Sequence, residues 1–479
     1  MTRPRAEQRY AAAAAELEAL VSLPIDNTPP RAGRRLRAFL DARGAPDASM
    51  QGVVVAGTVG KGSTAACLAA ILQACGERVG LFTGPHLVRY PERIRVNGRT
   101  MPLGEWARRV PDLLEAASHL AERPSLLEVQ AVMALEWFAE SGVRWAVMEA
   151  GVGGHRDHTM GLDPEVTVLT RIDLDHTHLL GTTVAEIAEE KCGAIRGGVS
   201  TVSASQAADA EVVVTRRADA AGAVLWLAGR DYVVSNVRTS ASGTRFDYRC
   251  PPLDRTWKGL RVPLAGAHQA ENAAAAVTAA LRIWAHGRVL LSEAKVRRGL
   301  SRVRLPGRLE RLAGPPDVVL DGAHQPAGAR ALRAALDEVY GGRDVFLVLG
   351  VLGDKDRDGI ARELVGRATR VWFTMPPWVE RAGDADELRA WARRTADGGP
   401  WSAEPDWWRA LADAREAAAC VAGAVVVVTG SLYLVGAARA ALMAERNLRA
   451  RQKPPRPTRR RGLAKPSDGT SRESHRRNA

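Results

Sequence analysis

Short apolar runs, each about one strand long, alternate with helix-forming stretches over most of this chain. Residues 52–56 (GVVVA) run into a glycine-containing loop, and residues 64–75 (TAACLAAILQAC) follow as a helix closed by Gly76. Residues 145–149 (WAVME) form a second apolar run, ending at Gly151, Gly153 and Gly154. Residues 165–172 (EVTVLTRI) form a β-branched third run that stops at Asp173, Asp175 and His176. Each predicted strand thus finishes in polar or glycine-rich residues. Ligands of doubly wound sheets bind at the carboxyl ends of the strands, so the pattern marks one shared site.

Residues 230–262 change period. They alternate apolar and polar positions, which predicts a small antiparallel β excursion. Beyond Pro306 the earlier rhythm returns. Apolar runs at 317–320, 344–351, 370–374 and 424–428 alternate with helical stretches such as 327–340. No internal repeat or heptad run is present.

Composition narrows the class. A chain of 479 residues is roughly three times a usual domain of about 150, so two or three domains are expected. With 46% apolar and 25% charged residues it is neither mainly disordered nor fibrous. Five cysteines without a CxxC pair argue against a disulfide framework or a structural zinc site, and predict a reducing, cytoplasmic setting. The first 25 residues lack a basic start and an apolar core, and read as an Ala-rich helix rather than a secretory signal. Residues 421–443 are mostly apolar, but Thr429, Gly430, Ser431 and Arg439 interrupt them. They read as strand, turn and helix start, not as a membrane span of about 20 apolar residues.

The net charge of +13 is concentrated at one end. From Arg446 onward there are twelve Lys or Arg and two acids, leaving +3 for the rest. Such a tail, rich in Arg, Pro and Ser, buries too little to fold, so residues 446–479 are expected to be a disordered, dispensable extension. The alternative is weak contact with nucleic acid or another polyanion.

The chemistry starts after the first strand. Residues 56–64 read AGTVGKGST, and glycines with one Lys between a strand and a helix make a phosphate cradle. Backbone N–H groups face the phosphates, Lys61 neutralises charge, and a following hydroxyl suits Mg²⁺. The usual P-loop spacing is not met: Val55 holds the leading glycine position, and Gly62 separates Lys61 from Ser63.

Further motifs follow in order: 83–98 (TGPHLVRYPERIRVNG), 151–159 (GVGGHRDHT), 175–181 (DHTHLLG), 189–193 (EEKCG), 305–310 (LPGRLE), 321–328 (DGAHQPAG), 350–356 (GVLGDKD) and 429–436 (TGSLYLVG). Together, from about residue 50 to 440, they resemble the folylpolyglutamate synthase/dihydrofolate synthase family of the Mur ligase superfamily. The fold expected is α/β: a P-loop-type doubly wound N-terminal ATP-binding domain with a small β excursion, over residues 1–300, then a Rossmann-like α/β C-terminal domain over 301–445.

The resemblance implies an ATP-dependent acid–amino acid ligase. A carboxylate would attack the γ-phosphate, and glutamate would displace phosphate from the acyl phosphate. Gly57, Thr58, Gly60, Lys61, Gly62, Ser63 and Thr64 match the phosphate loop. Ser63, Glu128, His176 and Lys191 match metal positions for two Mg²⁺, Lys191 as its carbamate. Read alone, Glu128 and Lys191 would be surface residues of helices, and His176 a hydrogen-bonded loop histidine. Gln269, Asn272 and Arg308 resemble nucleotide contacts. Asp321 and His324 resemble residues facing the nucleotide or the incoming amino acid, although Asp321–Gly322 alone reads as a turn. Asp354, Lys355 and Asp356 carry no assignment. The partners expected are a small acid and glutamate, with no membrane and a monomeric chain.

Departures are concentrated. Val59 replaces Asn in GTNGKGS, Gly84 replaces Ser in TSPHL, and Gln325 replaces Asn in DGAHNP. Where the family continues GGRLDATN, this chain has His155, Arg156, His158 and Met160. Apart from Val59 in the phosphate loop, the resemblance implies that these positions lie where the family handles its acid substrate and orders its active-site loops. Three readings stay open: a folate-type ligase, a ligase of the same mechanism acting on a non-folate acid, and a catalytically silent protein on this scaffold.

Overall fold

The computed structural model describes residues 3–20, 26–377, 385–395 and 399–452. Met1–Arg439 make one compact unit and Ala440–Ala479 another. In the second, the described residues continue the helix Leu432–Gln452. Residues 446–452 are therefore helical, where a disordered tail is expected from the sequence; 453–479 lie outside the described residues.

An eight-stranded sheet forms the N-terminal half. Its spatial order is Arg99–Thr100, Ile94–Val96, Val79–Phe82, Trp145–Glu149, Gln51–Ala56, Pro164–Leu169, Ser200–Ser203 and Val224–Leu227. The last six are parallel, and the first two form an antiparallel edge. Side chains alternate across a strand, so one apolar run feeds two cores. Val53 and Val55 pack with Leu68 and Leu72 of the helix Lys61–Ala74 and with Val277 of the helix His268–Ala285. Val54 and Ala56 face the other way, onto Val129 and Met133 of the helix Leu126–Glu140.

The predicted β excursion is a three-stranded antiparallel sheet of Val233–Ser240, Gly243–Cys250 and Arg255–Val262. Tyr248 Oη and Thr278 Oγ1, 2.8 Å apart, join it to the helix His268–Ala285.

The C-terminal half holds a six-stranded sheet in the order Glu310–Leu312, Asp317–Leu320, Val425–Thr429, Val345–Leu349, Arg370–Phe373 and Trp401–Ala403. All but the first strand are parallel. Gly430 N–H donates to Ala323 O and Gly350 N–H to Thr429 O, which ties the loops after three neighbouring strands into one rim.

Local differences from the sequence reading have simple causes. The strand at 165–172 ends at Leu169, because Thr170 and Arg171 turn to meet the phosphate loop: Thr58 N–H donates to Arg171 O at 3.0 Å. The helix after the first strand starts at Lys61 rather than residue 64, directly after Gly60 at φ 91°. The N-terminal helix covers Arg3–Glu18, and residues 21–25 lie outside the described residues. The segment around 421–443 is the strand Val425–Thr429 and the start of a helix. No described helix is long and apolar enough to cross a membrane.

Candidate active site

The phosphate loop bridges the central strand Gln51–Ala56 and the helix Lys61–Ala74. Two of its glycines are obligatory. A Cβ at Gly57, φ 132°, would lie 2.1 Å from Thr170 Oγ1, and one at Gly60 would lie 2.2 Å from Asn272 Oδ1. Asn272 therefore sits against the loop, and its Nδ2 donates to Gln269 Oε1 at 3.2 Å. Thr58 Oγ1 donates to Asp173 O and accepts Asp173 N–H, both at 3.1 Å, linking the loop to the segment that carries His176. Lys61 Nζ folds back onto Gly57 O and Thr58 O, each at 3.1 Å. Ser63 and Thr64 are buried, and Thr64 Oγ1 has no hydrogen-bond partner among the described residues.

Glu149 was not singled out from the sequence. It ends the strand beside the phosphate-loop strand and is buried. Its Oε2 accepts Gly84 N–H at 2.9 Å and would lie 3.3 Å from a Cβ at Gly62, so the third loop glycine leaves room for this carboxylate. Burial raises its pKa, opposed by Lys61, Arg308 and Arg93. One sequence signal did exist: an acid closing an apolar run at the carboxyl end of a central parallel strand points at the ligand crevice.

His176 and Lys191 lie within reach of the Lys61 charge, which is felt at both. His176 adopts φ 47°, with Nε2 3.5 Å from Asp175 Oδ1. Lys191 ends the helix Val184–Lys191 and is only 1% exposed, so the surface-lysine reading does not hold. Burial, then the nearby Lys61 charge, push its pKa down to about 7. A large fraction is thus the neutral amine near pH 7.

Glu128 differs from its expected place. It is 1% exposed, and both carboxylate oxygens take hydrogen bonds from Arg35, at 3.1 and 2.9 Å. It also accepts Ser125 N–H at 2.6 Å in a capping box. It is neither a surface acid nor an open ligand. Its charge is already balanced by the guanidinium.

From the C-terminal half, Arg308 follows the strap 305–307, and its charge is felt at Glu149, Asp321, His268 and His324. Asp321 is buried, and its two oxygens accept Leu309 N–H and Ala323 N–H, each at 2.9 Å. It shapes the backbone around Arg308 and His324. His324 Nδ1 lies 2.8 Å from Gly322 O. A carbonyl only accepts, so Nδ1 carries the proton and Nε2 is a bare acceptor. Burial lowers this histidine to about 4, so it stays neutral. Gln269 is buried next to His268.

One cleft gathers Gly62, Gly84, His86, Arg95, Glu149, Pro306, Arg308 and Leu432 from both halves. Among the described residues, no cluster of three or more His, Cys, Asp or Glu forms a ready metal cage.

The comparisons agree with this architecture. The Mur ligase middle domain matches residues 55–280, and the Mur ligase glutamate ligase domain matches residues 307–432. Folylpolyglutamate synthase of Lacticaseibacillus casei is 32% identical over 86% of this chain and 94% of its own length. The chain belongs to the folylpolyglutamate synthase/dihydrofolate synthase family. It is accordingly a ligase that forms carbon–nitrogen bonds. Dihydrofolate synthase/folylpolyglutamate synthase of Bacillus subtilis is 30% identical, over 84% of this chain and 92% of its own length. Among solved structures, Mycobacterium tuberculosis folylpolyglutamate synthase complexed with ADP superposes with a TM-score of 0.81 at 30% identity, covering 90% of this chain and 98% of that one.

At the positions that differ from the family's usual loop, His158 is buried, while His155, Arg156 and Met160 are half-buried against the body. His155 N–H donates to Glu190 O at 2.9 Å, and its ring packs where a Cβ on Gly193 would be 2.6 Å away. Arg156 Nε lies 3.5 Å from Glu190 Oε2. His158 is buried edge-on to Phe82, with ring centroids 6.2 Å apart. Met160 fills the space left by Gly33, where a Cβ would meet it at 2.5 Å. These residues pack the loop onto the body. Gln325 stands at the N-cap of the helix Pro326–Tyr340 and makes no side-chain cap bond.

Proposed function

We propose that this chain uses ATP to join glutamate to a folate-type acid, dihydropteroate or a folate, through an acyl phosphate. The observation that carries this is the meeting, in one cleft, of the phosphate loop, the buried Glu149, and Arg308 from the C-terminal half. A structure that also resembles this chain is named as a folylpolyglutamate synthase–AMPPCP–folate complex; it has a TM-score of 0.75 at 30% identity and covers 91% of this chain and 99% of that one. His155, His158 and Met160 pack against Gly193, Phe82 and Gly33, none of which lines the cleft of Gly62 and Glu149, and this supports the folate reading.

In this reading a carboxylate oxygen attacks the γ-phosphorus, and the bond to ADP breaks. The amine of glutamate, having shed its extra proton, then attacks the acyl carbon. The carbon–oxygen bond to phosphate breaks, and the second amine proton leaves to solvent. No side chain serves as a covalent nucleophile, so positioning and charge supply the catalysis. Lys61 offsets phosphate charge. His324 Nε2, an acceptor, suits an N–H of the incoming amino acid. Gly57, Thr58, Gly60, Gly62 and Thr64 cradle the phosphates, and Gln269, Asn272 and Arg308 border the nucleotide. Ser63, Glu149, His176 and a carbamate on Lys191 would hold Mg²⁺, which would screen the repulsion between the two anions. The neutral fraction of Lys191 makes the carbamate chemically accessible. Division into domains at 1–300 and 301–445 and a monomeric, cytoplasmic protein complete the reading.

The alternative, a non-folate acid, is favoured by Gly84, which removes the family's hydroxyl beside Glu149. The test is glutamate-dependent phosphate release with dihydropteroate and, separately, with tetrahydrofolate, and mass spectrometry of the products. An adduct of either acid with glutamate is the expected result. ATP binding without acceleration by either acid would promote the alternative.

A further inference from the structure

His86 has a role that neither its motif nor the reaction assigns. It sits in the segment between the strands Val79–Phe82 and Ile94–Val96 and lines the cleft. Its Nδ1 lies 3.0 Å from Arg93 Nε. A guanidinium only donates, so Nδ1 is the acceptor and cannot carry the proton. In a neutral imidazole the remaining hydrogen must then sit on Nε2.

Packing on Tyr90, itself held by its neighbours, fixes the ring. It packs on Tyr90 with centroids 4.3 Å apart, and Arg93 lies over the same Tyr90 ring at 5.7 Å. Arg93 is itself buried, so the guanidinium is not free to swing away. Tyr90 stacks on Trp106, and its hydroxyl lies 3.1 Å from Glu18 Oε1 of the N-terminal helix. Burial and the adjacent Arg93 charge hold the imidazole neutral, with its pKa pushed down to about 3. Nδ1 is committed to Arg93. Nε2 has no protein hydrogen-bond partner among the described residues, and the residue itself lines the cleft that also holds Gly62 and Glu149.

We infer that His86 is a preset neutral hydrogen-bond donor that binds, through Nε2–H, the non-transferred oxygen of the acid substrate's reacting carboxyl group. This rests on the ligase reading above. The oxygen is partly negative in the carboxylate, a carbonyl in the acyl phosphate, and fully negative when the amine adds. A donor that is already oriented stabilises the last state most, because no reorganisation is needed as charge develops. His324 complements it: one histidine donates to the oxygen, and the other accepts from the nitrogen.

The test uses the full chain with ATP, Mg²⁺, glutamate, and dihydropteroate or tetrahydrofolate. His86→Phe keeps an aromatic ring on Tyr90 and removes the donor. His86→Gln keeps an N–H close to the place of Nε2. His86→Phe is expected to lower kcat about 100-fold, the usual effect of losing one oxyanion donor, with ATP affinity and the KM for the acid changed less than about threefold. His86→Gln is expected to recover most of that loss. Wild-type rates in His86→Phe overturn the inference. So do equal losses in both variants, or a loss confined to KM, since these mark packing or ground-state binding. If His86→Phe does not fold, the folded His86→Gln variant decides: activity within about tenfold of wild type supports the donor role, and a 100-fold loss overturns it. A wild-type protein that never releases phosphate in response to glutamate removes the ligase reading, and this inference with it.

Discussion

Arg35 grips Glu128 with two hydrogen bonds, Nε to Oε2 at 3.1 Å and Nη2 to Oε1 at 2.9 Å, and both side chains are buried. The pair joins the helix Arg31–Ala42 to the first turn of the helix Leu126–Glu140. Removing one member of such a pair leaves an uncompensated buried charge, at a cost of about 3–5 kcal/mol. Glu128→Ala is therefore expected to lower stability in denaturant by that order. The folded fraction should keep its wild-type Mg²⁺ requirement. A raised Mg²⁺ requirement without loss of stability would return Glu128 to the metal site.

Glu149 is the counterpart. Glu149→Gln preserves shape and the bond from Gly84 N–H but removes the charge that faces Lys61, Arg308 and Arg93. The expected outcome is a folded protein with turnover reduced about 100-fold, partly restored by excess Mg²⁺. Titration of phosphate release against Mg²⁺ checks it; an unchanged titration curve would take Glu149 out of the site.

Lys61→Ala removes a cation from the phosphate clamp. Turnover is expected to fall about 100-fold or more, since one charge on a transferring phosphoryl group contributes several kcal/mol. Steady-state phosphate release measures this, and near-normal turnover would displace the clamp from this loop.

Lys191→Ala is expected to abolish activity, without rescue by bicarbonate, because the carbamate can form only on that amine. Native mass spectrometry of the wild type under CO₂ should show the added mass. Full activity in the variant would end the carbamate proposal.

Three histidines give the protein an acid-sensitive window. Burial lowers His86 to about 3 and His268 and His324 to about 4, with Arg93 acting on the first and Arg308 on the other two. Lys355 also lowers His324, while Asp175 partly offsets it. Below about pH 6.5 the unfolded chain binds protons that the folded chain refuses, so stability rises with pH across this range. The contribution is complete above about pH 6.5 and is lost as pH falls toward 4. Thermal midpoints from pH 7.5 to 5 should decline, and His268→Gln should flatten the decline. Midpoints independent of pH there would mean that these rings titrate alike in the folded and unfolded chain, so that the fold does not depress them.

Local chemistry made much of this protein legible in its residues. An apolar run followed by glycines and a lysine before a helix former reads as a strand, a tight loop and a helix, and the structure has the strand at Gln51–Ala56 and the helix at Lys61–Ala74. The β excursion showed itself by its period of two, and the second α/β half by the return of short apolar runs. Those signals survive because they depend on neighbours a few residues apart. What depended on distant partners was hidden. Glu128 and Glu149 both close or open an apolar stretch, and nothing nearby tells them apart. Only the fold gives one to Arg35, 93 positions away, and the other to Gly84 and the phosphate loop. The loop substitutions at 155–160 carried bulk and charge whose direction was open until Gly33, Glu190 and Gly193 were found against them. Likewise, His86 and His324 are the same side chain in the sequence. Tertiary contacts set one as a donor and the other as an acceptor, because a hydrogen-bond partner on one ring nitrogen dictates what the other can do.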